Sequence, residues 1–221
     1  MVPKKSACIV LNGKIEKEEL PFYQHEIKTS QVSIAANGGS KLFQLLDMEM
    51  DYLIGDQDSM TEEEVDFWSA KEVKIKKYPV AKDETDLELC LDHCAALEIT
   101  EVKILAGLGG RIDQQLANIY LLEYARELDI KAKIVSPGLE VGLIINSLKL
   151  IDRQGARLSL LSLTEEVSGL KILGCQYNVA DFTLKRYKTR GISNIIQEKT
   201  AMISVEEGIL LYVVEEKNHL D

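Results

Sequence analysis

The chain has 221 residues, 46% of them hydrophobic and 28% charged, which is enough apolar material for a buried core and too much for a disordered chain. Its formal net charge is −10, with a sequence pI near 4.9. That balance repels a phosphate backbone and an anionic lipid surface, so it argues against nucleic acid and membranes as partners; a nucleotide remains admissible where local cations and Mg²⁺ neutralise its phosphates.

In chain order, short apolar runs predict strands at 7–11, 32–36, 52–54, 73–75, 102–106 and 132–135. The first follows two lysines and is too short for a signal peptide. No run approaches the ~18 residues of a membrane span, so a cytoplasmic chain is expected. Helical patterns are predicted at 41–50, at 61–70 with Ser59 to Glu62 as a capping box, and at 83–98 and 112–128. Strands alternating with helices predict a mainly parallel sheet covered on both faces, a Rossmann-like α/β arrangement. After Gly138 the pattern changes to short β-rich runs at 141–145, 157–163, 169–173, 182–184, 201–205 and 209–214. Turn signals at Gln154-Gly155, Ser168-Gly169 and Glu206-Glu207-Gly208 separate them. The expected architecture is an α/β domain over 1–143 and a small antiparallel β-sandwich over 144–221.

Cys8, Cys90, Cys94 and Cys175 form no CxxC pair and read as reduced thiols. Cys90, His93 and Cys94 share one helical turn, but Leu87, Cys90, Leu91, Cys94 and Leu97 make an apolar stripe, which favours packing over metal binding. His25 and His219 are assigned to a loop and a tail. Phe67 and Trp68 are assigned to packing, and Glu62-Glu63-Glu64 to a solvated helix start.

The polar motifs fall at predicted strand ends, where open α/β sheets bind ligands. Asn37-Gly38-Gly39-Ser40 is a turn at which backbone can approach a phosphate. Gly55-Asp56-Gln57-Asp58-Ser59 offers two carboxylates to a hard cation such as Mg²⁺. Lys82-Asp83-Glu84-Thr85-Asp86 opens a helix, with Asp83 as a candidate N-cap and Asp86 as a partner of the helix dipole. Gly107 to Gln114 is a glycine loop that is not GxGxxG and that delivers Arg111, a planar phosphate donor. Asn118 follows Asp113 by five residues on the next helix. Together these motifs point to an enzyme that moves a phosphate-containing group from a Mg–nucleotide to a small molecule.

In this order the motifs resemble the thiamine pyrophosphokinase (thiamine diphosphokinase) family, whose pattern combines an ADGG-like turn, GDxDS, KDxTD, a GxxGGRxDH-like loop and a late SN motif, here Ser193-Asn194. The resemblance runs from about residue 8 to 214. It implies a nucleotide- and Mg-binding catalytic domain, a thiamine-binding β-sandwich and a homodimer with active sites where subunits meet. The implied reaction is transfer of pyrophosphate from ATP to the hydroxyl of thiamine, giving thiamine diphosphate and AMP. By motif, the resemblance implies that Asp56, Asp58, Asp83 and Asp86 hold Mg²⁺ and the phosphates and that Arg111 steadies the transferred group. It further implies that Asn37, Gly38, Gly39, Ser59, Lys82, Asp113, Gln114, Asn118, Ser193 and Asn194 complete the ATP and thiamine sites. The sequence departs from the family at Asn37, Gln57 and Ile195, and carries Gln114 where many bacterial members have histidine. The alternatives are a pyrophosphokinase for another hydroxymethyl heterocycle, such as a pterin, or a non-catalytic nucleotide or thiamine sensor.

Overall fold

The computed structural model describes residues 5–56, 61–78 and 83–217. Contacts divide the chain into two units, Met1–Pro137 and Gly138–Asp221.

In the first unit, strands β1 (Ser6–Val10), β2 (Val32–Ala36), β3 (Tyr52–Asp56), β4 (Lys74–Tyr78), β5 (Glu101–Leu105) and β6 (Lys131–Ser136) lie in the order β6-β5-β1-β2-β3-β4. Every pairing among them is parallel. The helices are α1 (Leu20–Lys28), α2 (Ser40–Leu45), α3 (Glu62–Ser69), α4 (Asp86–Ala96) and α5 (Ile112–Glu127). One face of the sheet presents Cys8, Val10, Ala35, Leu53, Leu105 and Val135 to Tyr23 and Ile27 of α1, Leu42 and Phe43 of α2, and Trp68 of α3. Ile9, Ile34, Ile54, Ile104 and Ile134 alternate with those positions and are fully buried, so the opposite face is covered too. There α4 packs on β1, β2 and β3, and α5 packs on α4 and β6. Burial on both faces explains why these strands read as near-continuous apolar runs. β4 is the exception. It lies at the sheet edge and exposes Lys74, Lys76 and Lys77.

Several expectations about local structure change. Thr61, not Ser59, caps α3: its hydroxyl accepts from the Glu64 N–H at 3.2 Å, and the Glu64 carboxylate accepts from the Thr61 N–H at 3.1 Å. Thr85, not Asp83, caps α4, its hydroxyl accepting from the Glu88 N–H. Asp86 therefore sits at the first helical position, where the backbone N–H groups favour its charge. His25 lies in the last turn of α1, an element the periodicity did not reveal. The helix expected over 41–50 ends at Leu45, because Asp47 adopts a left-handed conformation (φ 49°).

That stop recurs. Asp47, Glu72, Glu98 and Asp129 all have positive φ, and each follows a helix directly. In each case the following N–H (Met48, Val73, Ile99, Ile130) donates back five residues to the last turn, to Phe43, Trp68, Cys94 and Ala125. This is the Schellman arrangement, in which glycine is the usual left-handed residue. Here an acid occupies it every time, followed by an apolar residue that is buried at Val73, Ile99 and Ile130 and partly buried at Met48.

His93 of α4 is buried, with Nδ1 3.0 Å from Lys76 Nζ and its ring edge-on to Tyr52 at 4.4 Å. Its Nε2 has no hydrogen-bond partner among the described residues. Burial, then the charges of Lys76 and Lys74, push its proton affinity below that of an ordinary histidine. Cys90 and Cys94 are both fully buried in the same helix, and no metal-binding group of three His, Cys, Asp or Glu occurs among the described residues.

The second unit holds two antiparallel sheets. One has the order β12 (Asn194–Ile195), β9 (Arg157–Ser162), β14 (Leu210–Glu215), β7 (Leu139–Ile144). The other runs β11 (Val179–Lys185), β10 (Glu166–Leu173), β13 (Thr200–Ser204), β8 (Ser147–Ile151). Leu158, Leu160, Leu210, Tyr212 and Val214 of the first share one core with Leu150, Leu170, Ile172, Leu184, Ala201 and Ile203 of the second, which makes a sandwich. Ser168-Gly169 is not a turn between strands but lies within β10. Gly169 has φ 62°, and the pairing register with β11 shifts between Val167 and Leu170, a bulge. Strand β8, which pairs with β13, was not anticipated from sequence.

Two outcomes test this reading. Replacing Glu72 and Glu98 by glycine removes the left-handed penalty and raises Tm by roughly 2–4 °C per site in thermal melts, for about 1 kcal/mol recovered at each. For His93 the sign follows from a lowered folded pKa: the unfolded chain takes up the proton first as pH falls. Stability contributed by the neutral ring is therefore full above about pH 6.5 and declines below it. A His93→Gln variant is expected to show a flatter Tm against pH below that value.

Candidate active site

In the first unit the chain order reverses at β1. β2 to β4 extend on one side of it, while β5 and β6 lie on the other. Loops leaving β1 and β5 at their carboxyl ends therefore diverge and leave a crevice, the usual ligand position of such sheets. A cavity of about 930 Å³ opens there. Its walls come from Leu11–Lys14 after β1, Ala36–Gly38, Ser40 and Lys41 after β2, and Asp56 at the end of β3. Thr61 and Glu64, Glu84–Leu87 at the start of α4, Ala106–Arg111 after β5, and Gln114–Asn118 of α5 complete them, with Gly39, Leu108 and Leu116 outside the lining.

The walls are tight because glycine lets backbone touch backbone. A Cβ on Gly39 would lie 2.0 Å from the Val10 carbonyl oxygen, and one on Gly13 would lie 2.2 Å from that of Ala106. The turns after β1, β2 and β5 are thus packed directly on one another. Asn37 (φ 50°) and Ala106 (φ 53°) hold left-handed conformations at the ends of β2 and β5. Asparagine tolerates that region well; for alanine it is strain, and such strain concentrates at functional sites.

Two carboxylates converge in this cavity. Asn37 Nδ2 lies 3.1 Å from Asp86 Oδ2 and 3.4 Å from Asp56 Oδ1. Asp56 ends β3 and Asp86 opens α4, and one amide spans them. On the β5 side, Gln115 pins the glycine loop: its Oε1 accepts from the Gly109 N–H and its Nε2 donates to the Gly110 carbonyl. Asn118 Nδ2 donates to the Gly107 carbonyl at 2.8 Å. Arg111 is exposed at the rim and forms a two-point pair with Asp113, Nε–Oδ1 3.1 Å and Nη2–Oδ2 2.5 Å. That hydrogen bond holds the Asp113 carboxyl below the usual carboxylate range.

Of the residues expected from sequence, Asn37, Gly38, Asp56, Asp86, Arg111, Gln114 and Asn118 line the cavity. Gly39 is buried beneath its wall, Asp113 stands outside it against Arg111, and Asp83 is exposed on the bend before Thr85. Asp58, Ser59 and Lys82 lie outside the described residues. Ser193 and Asn194 belong to the second unit. Ser193 is exposed, with φ 63°, and its N–H donates to Ser159 Oγ. The buried Asn194 amide accepts from the Tyr177 and Ile195 N–H groups and donates to the Tyr177 carbonyl.

The sequence reading passed over Asn12-Gly13-Lys14, Lys41, Glu84 and Gln115. Asn12-Gly13 directly follows the first predicted strand, so its position was the available signal. Lys14 is ion-paired with the exposed Glu16 at 2.6 Å. Among the described lining residues, four carboxylates (Asp56, Glu64, Glu84, Asp86) face three cations (Lys14, Lys41, Arg111). Taken alone this lining disfavours a polyphosphate, and a divalent cation between the carboxylates would reverse the sign. The donors are carboxylate oxygens, which suit a hard ion. Mg²⁺ takes one or two protein carboxylates and fills its shell with phosphate and water, so Asp56 and Asp86 fit it.

A family model described as thiamin pyrophosphokinase, catalytic domain, matches residues 23–134, and one described as thiamin pyrophosphokinase, vitamin B1 binding domain, matches residues 146–210. The curated thiamine pyrophosphokinase of Bacillus subtilis (strain 168) is 26% identical over 161 residues, 72% of this chain and 75% of the relative. Among solved structures, thiamine pyrophosphokinase from Bacillus subtilis aligns with a TM-score of 0.83 at 24% identity, covering 96% of this chain and 99% of that one. Yeast thiamin pyrophosphokinase aligns at 0.78 and 19% identity, covering 99% and 88%. These structural likenesses establish a shared fold, and the two family models, which together match most of the sequence, establish the kinship: the chain belongs to the thiamine pyrophosphokinase family.

Proposed function

We propose that the chain is a thiamine pyrophosphokinase that transfers the pyrophosphoryl group of ATP to the hydroxyl of thiamine, giving thiamine diphosphate and AMP. The thiamine oxygen bonds to the β-phosphorus as the bond from that phosphorus to the oxygen bridging it to the α-phosphorus breaks; AMP leaves with the bridging oxygen, and the hydroxyl proton is released to solvent. The observation that carries this reading is the convergence of Asp56 and Asp86 in a cavity at the sheet's reversal point, with Arg111, Lys14 and Lys41 in its walls. Mg²⁺ held by Asp56 and Asp86, with Asp58 and Asp83 close to them in sequence, would neutralise the phosphate charge. Arg111, oriented by Asp113, offers its planar fork to the transferred group. Gly38 offers backbone to the phosphates on a turn that Gly39 packs against β1, and Gln114 and Asn118 line the α5 side. Rate then comes chiefly from positioning and charge stabilisation, as is general for phosphoryl transfer. In this reading the second unit supplies thiamine contacts around Ser193 and Asn194.

The homodimer and cytoplasmic setting belong to the same proposal. Ile112, Leu116 and Tyr120 recur every four residues on α5 and are exposed by 75%, 49% and 52%, an apolar stripe beside the cavity wall that a second copy would cover. All four cysteines are buried free thiols, as a reducing compartment permits, and no helix among the described residues is long and apolar enough to cross a membrane.

With ATP, Mg²⁺ and thiamine, AMP release is expected to require thiamine and to fall by roughly 10²-fold or more in Asp56→Asn or Asp86→Asn. AMP formed only with another heterocyclic alcohol, or binding without turnover, would overturn the assignment. Leu116→Glu is expected to convert a dimer to a monomer in light scattering after size exclusion; a monomeric parent protein would remove the dimer from the reading.

A further inference from the structure

The Asn37 side chain spans the carboxylates of Asp86 and Asp56 at 3.1 and 3.4 Å. An amide NH₂ has two hydrogens to donate, so one group can serve both acids. Two carboxylates brought to one donor repel each other, and in a partly buried cavity that repulsion is only partly screened. The backbone fixes the donor in place: Asn37 has φ 50°, a left-handed conformation that asparagine, aspartate and glycine accept. The next two glycines pack that turn on the end of β1 and against Asn12. The amide thus stands on a rigid turn and reaches the end of β3 and the first turn of α4 at once.

We infer that Asn37 is a positioning residue, whose amide bridges Asp56 and Asp86 and offsets their mutual repulsion, so that the acidic pair is assembled in the protein before any cation arrives. The inference concerns the same site as the proposed function but depends only on the metal-free protein. Its partner residues identify the effect as one of charge. A turn residue that merely shaped the backbone would be indifferent to whether position 86 is ionised.

The test is a double-mutant cycle followed by thermal melts in EDTA. Asn37→Asp keeps size and left-handed backbone while adding a third carboxylate, and is expected to lower Tm by roughly 2–4 °C. Asp86→Asn in that background is expected to restore at least half of the loss. Asn37→Gly keeps the turn and removes the amide, and its smaller loss is likewise expected to shrink when Asp86→Asn is added. Should Asn37→Asp not fold, the glycine cycle decides alone. Losses that are equal whether position 86 carries a carboxylate or an amide, or no loss in either variant, overturn the inference. Calorimetric titration of the parent protein with MgCl₂ keeps the two readings separate: absence of Mg²⁺ binding would remove the metal from the proposed function, while the melts in EDTA would still decide the role of Asn37.

Discussion

Holding Asp56 and Asp86 side by side is unfavourable in itself, and the architecture of the first unit is what enforces it. Their loops are separated in sequence by α3 and β4, yet β3 and the first turn of α4 deliver them to one point. The enforcement comes from burial. Ile34, Ile54 and Ile104 are fully buried on one face of the sheet and Phe43, Leu53 and Trp68 on the other, so the strand ends have little freedom to separate. The apolar burial of such side chains contributes on the order of 1.5–3 kcal/mol each, and together they exceed what a partly screened carboxylate pair costs. The charges are then softened locally, by the Asn37 amide and by the N-terminal dipole of α4 beneath Asp86.

The same logic separates the two units. The first places two of its left-handed non-glycine residues, Asn37 and Ala106, at strand ends, where polar groups gather, and the other four at helix ends. The second has a conventional sandwich core, with the Gly169 bulge inside a strand and its other positive-φ residues between strands. Its buried polar groups are used internally. Asn194 is occupied by the Tyr177 and Ile195 backbone, and the Tyr212 hydroxyl donates to Glu140 at 2.7 Å, where burial and that carboxylate push its ionisation well above the ordinary tyrosine value. Such satisfied groups specify one packing.

Much of this was legible in the sequence. Buried parallel strands betray themselves as unbroken apolar runs, and acid- or glycine-bearing motifs after them mark strand ends, so 32–36 with Asn37 and 102–106 with Arg111 were read correctly in kind and place. The missed features have physical reasons. α1 carries Pro21 and few apolar repeats, with only Tyr23 and Ile27 buried, so its period is faint. The helix expected over 41–50 ends early because Asp47 does what glycine ordinarily signals, and the one expected over 83–98 ends at Ala96 for the same reason at Glu98. Thr61 and Thr85 took the cap positions because hydroxyls two residues nearer the helix compete with Ser59 and Asp83. Lys14 and Lys41 were passed over because a lone lysine carries no spacing; only the fold shows that the segments after β1 and β2 bring them to one cavity.

The lysines of β4 bear on how this chain behaves in crowded solution. An outermost strand offers unpaired backbone donors and acceptors to any other strand that arrives, and charge along it is a common deterrent. Lys74, Lys76 and Lys77 supply that deterrent with the sign opposite to the molecule's net charge of −10. Two copies meeting edge to edge therefore feel local repulsion, while an edge meeting the acidic remainder of another copy feels attraction. Colloidal stability is then a contest between two fields of different reach. Salt, with a Debye length of about 8 Å at physiological ionic strength, weakens the long-range attraction before it uncovers the edge.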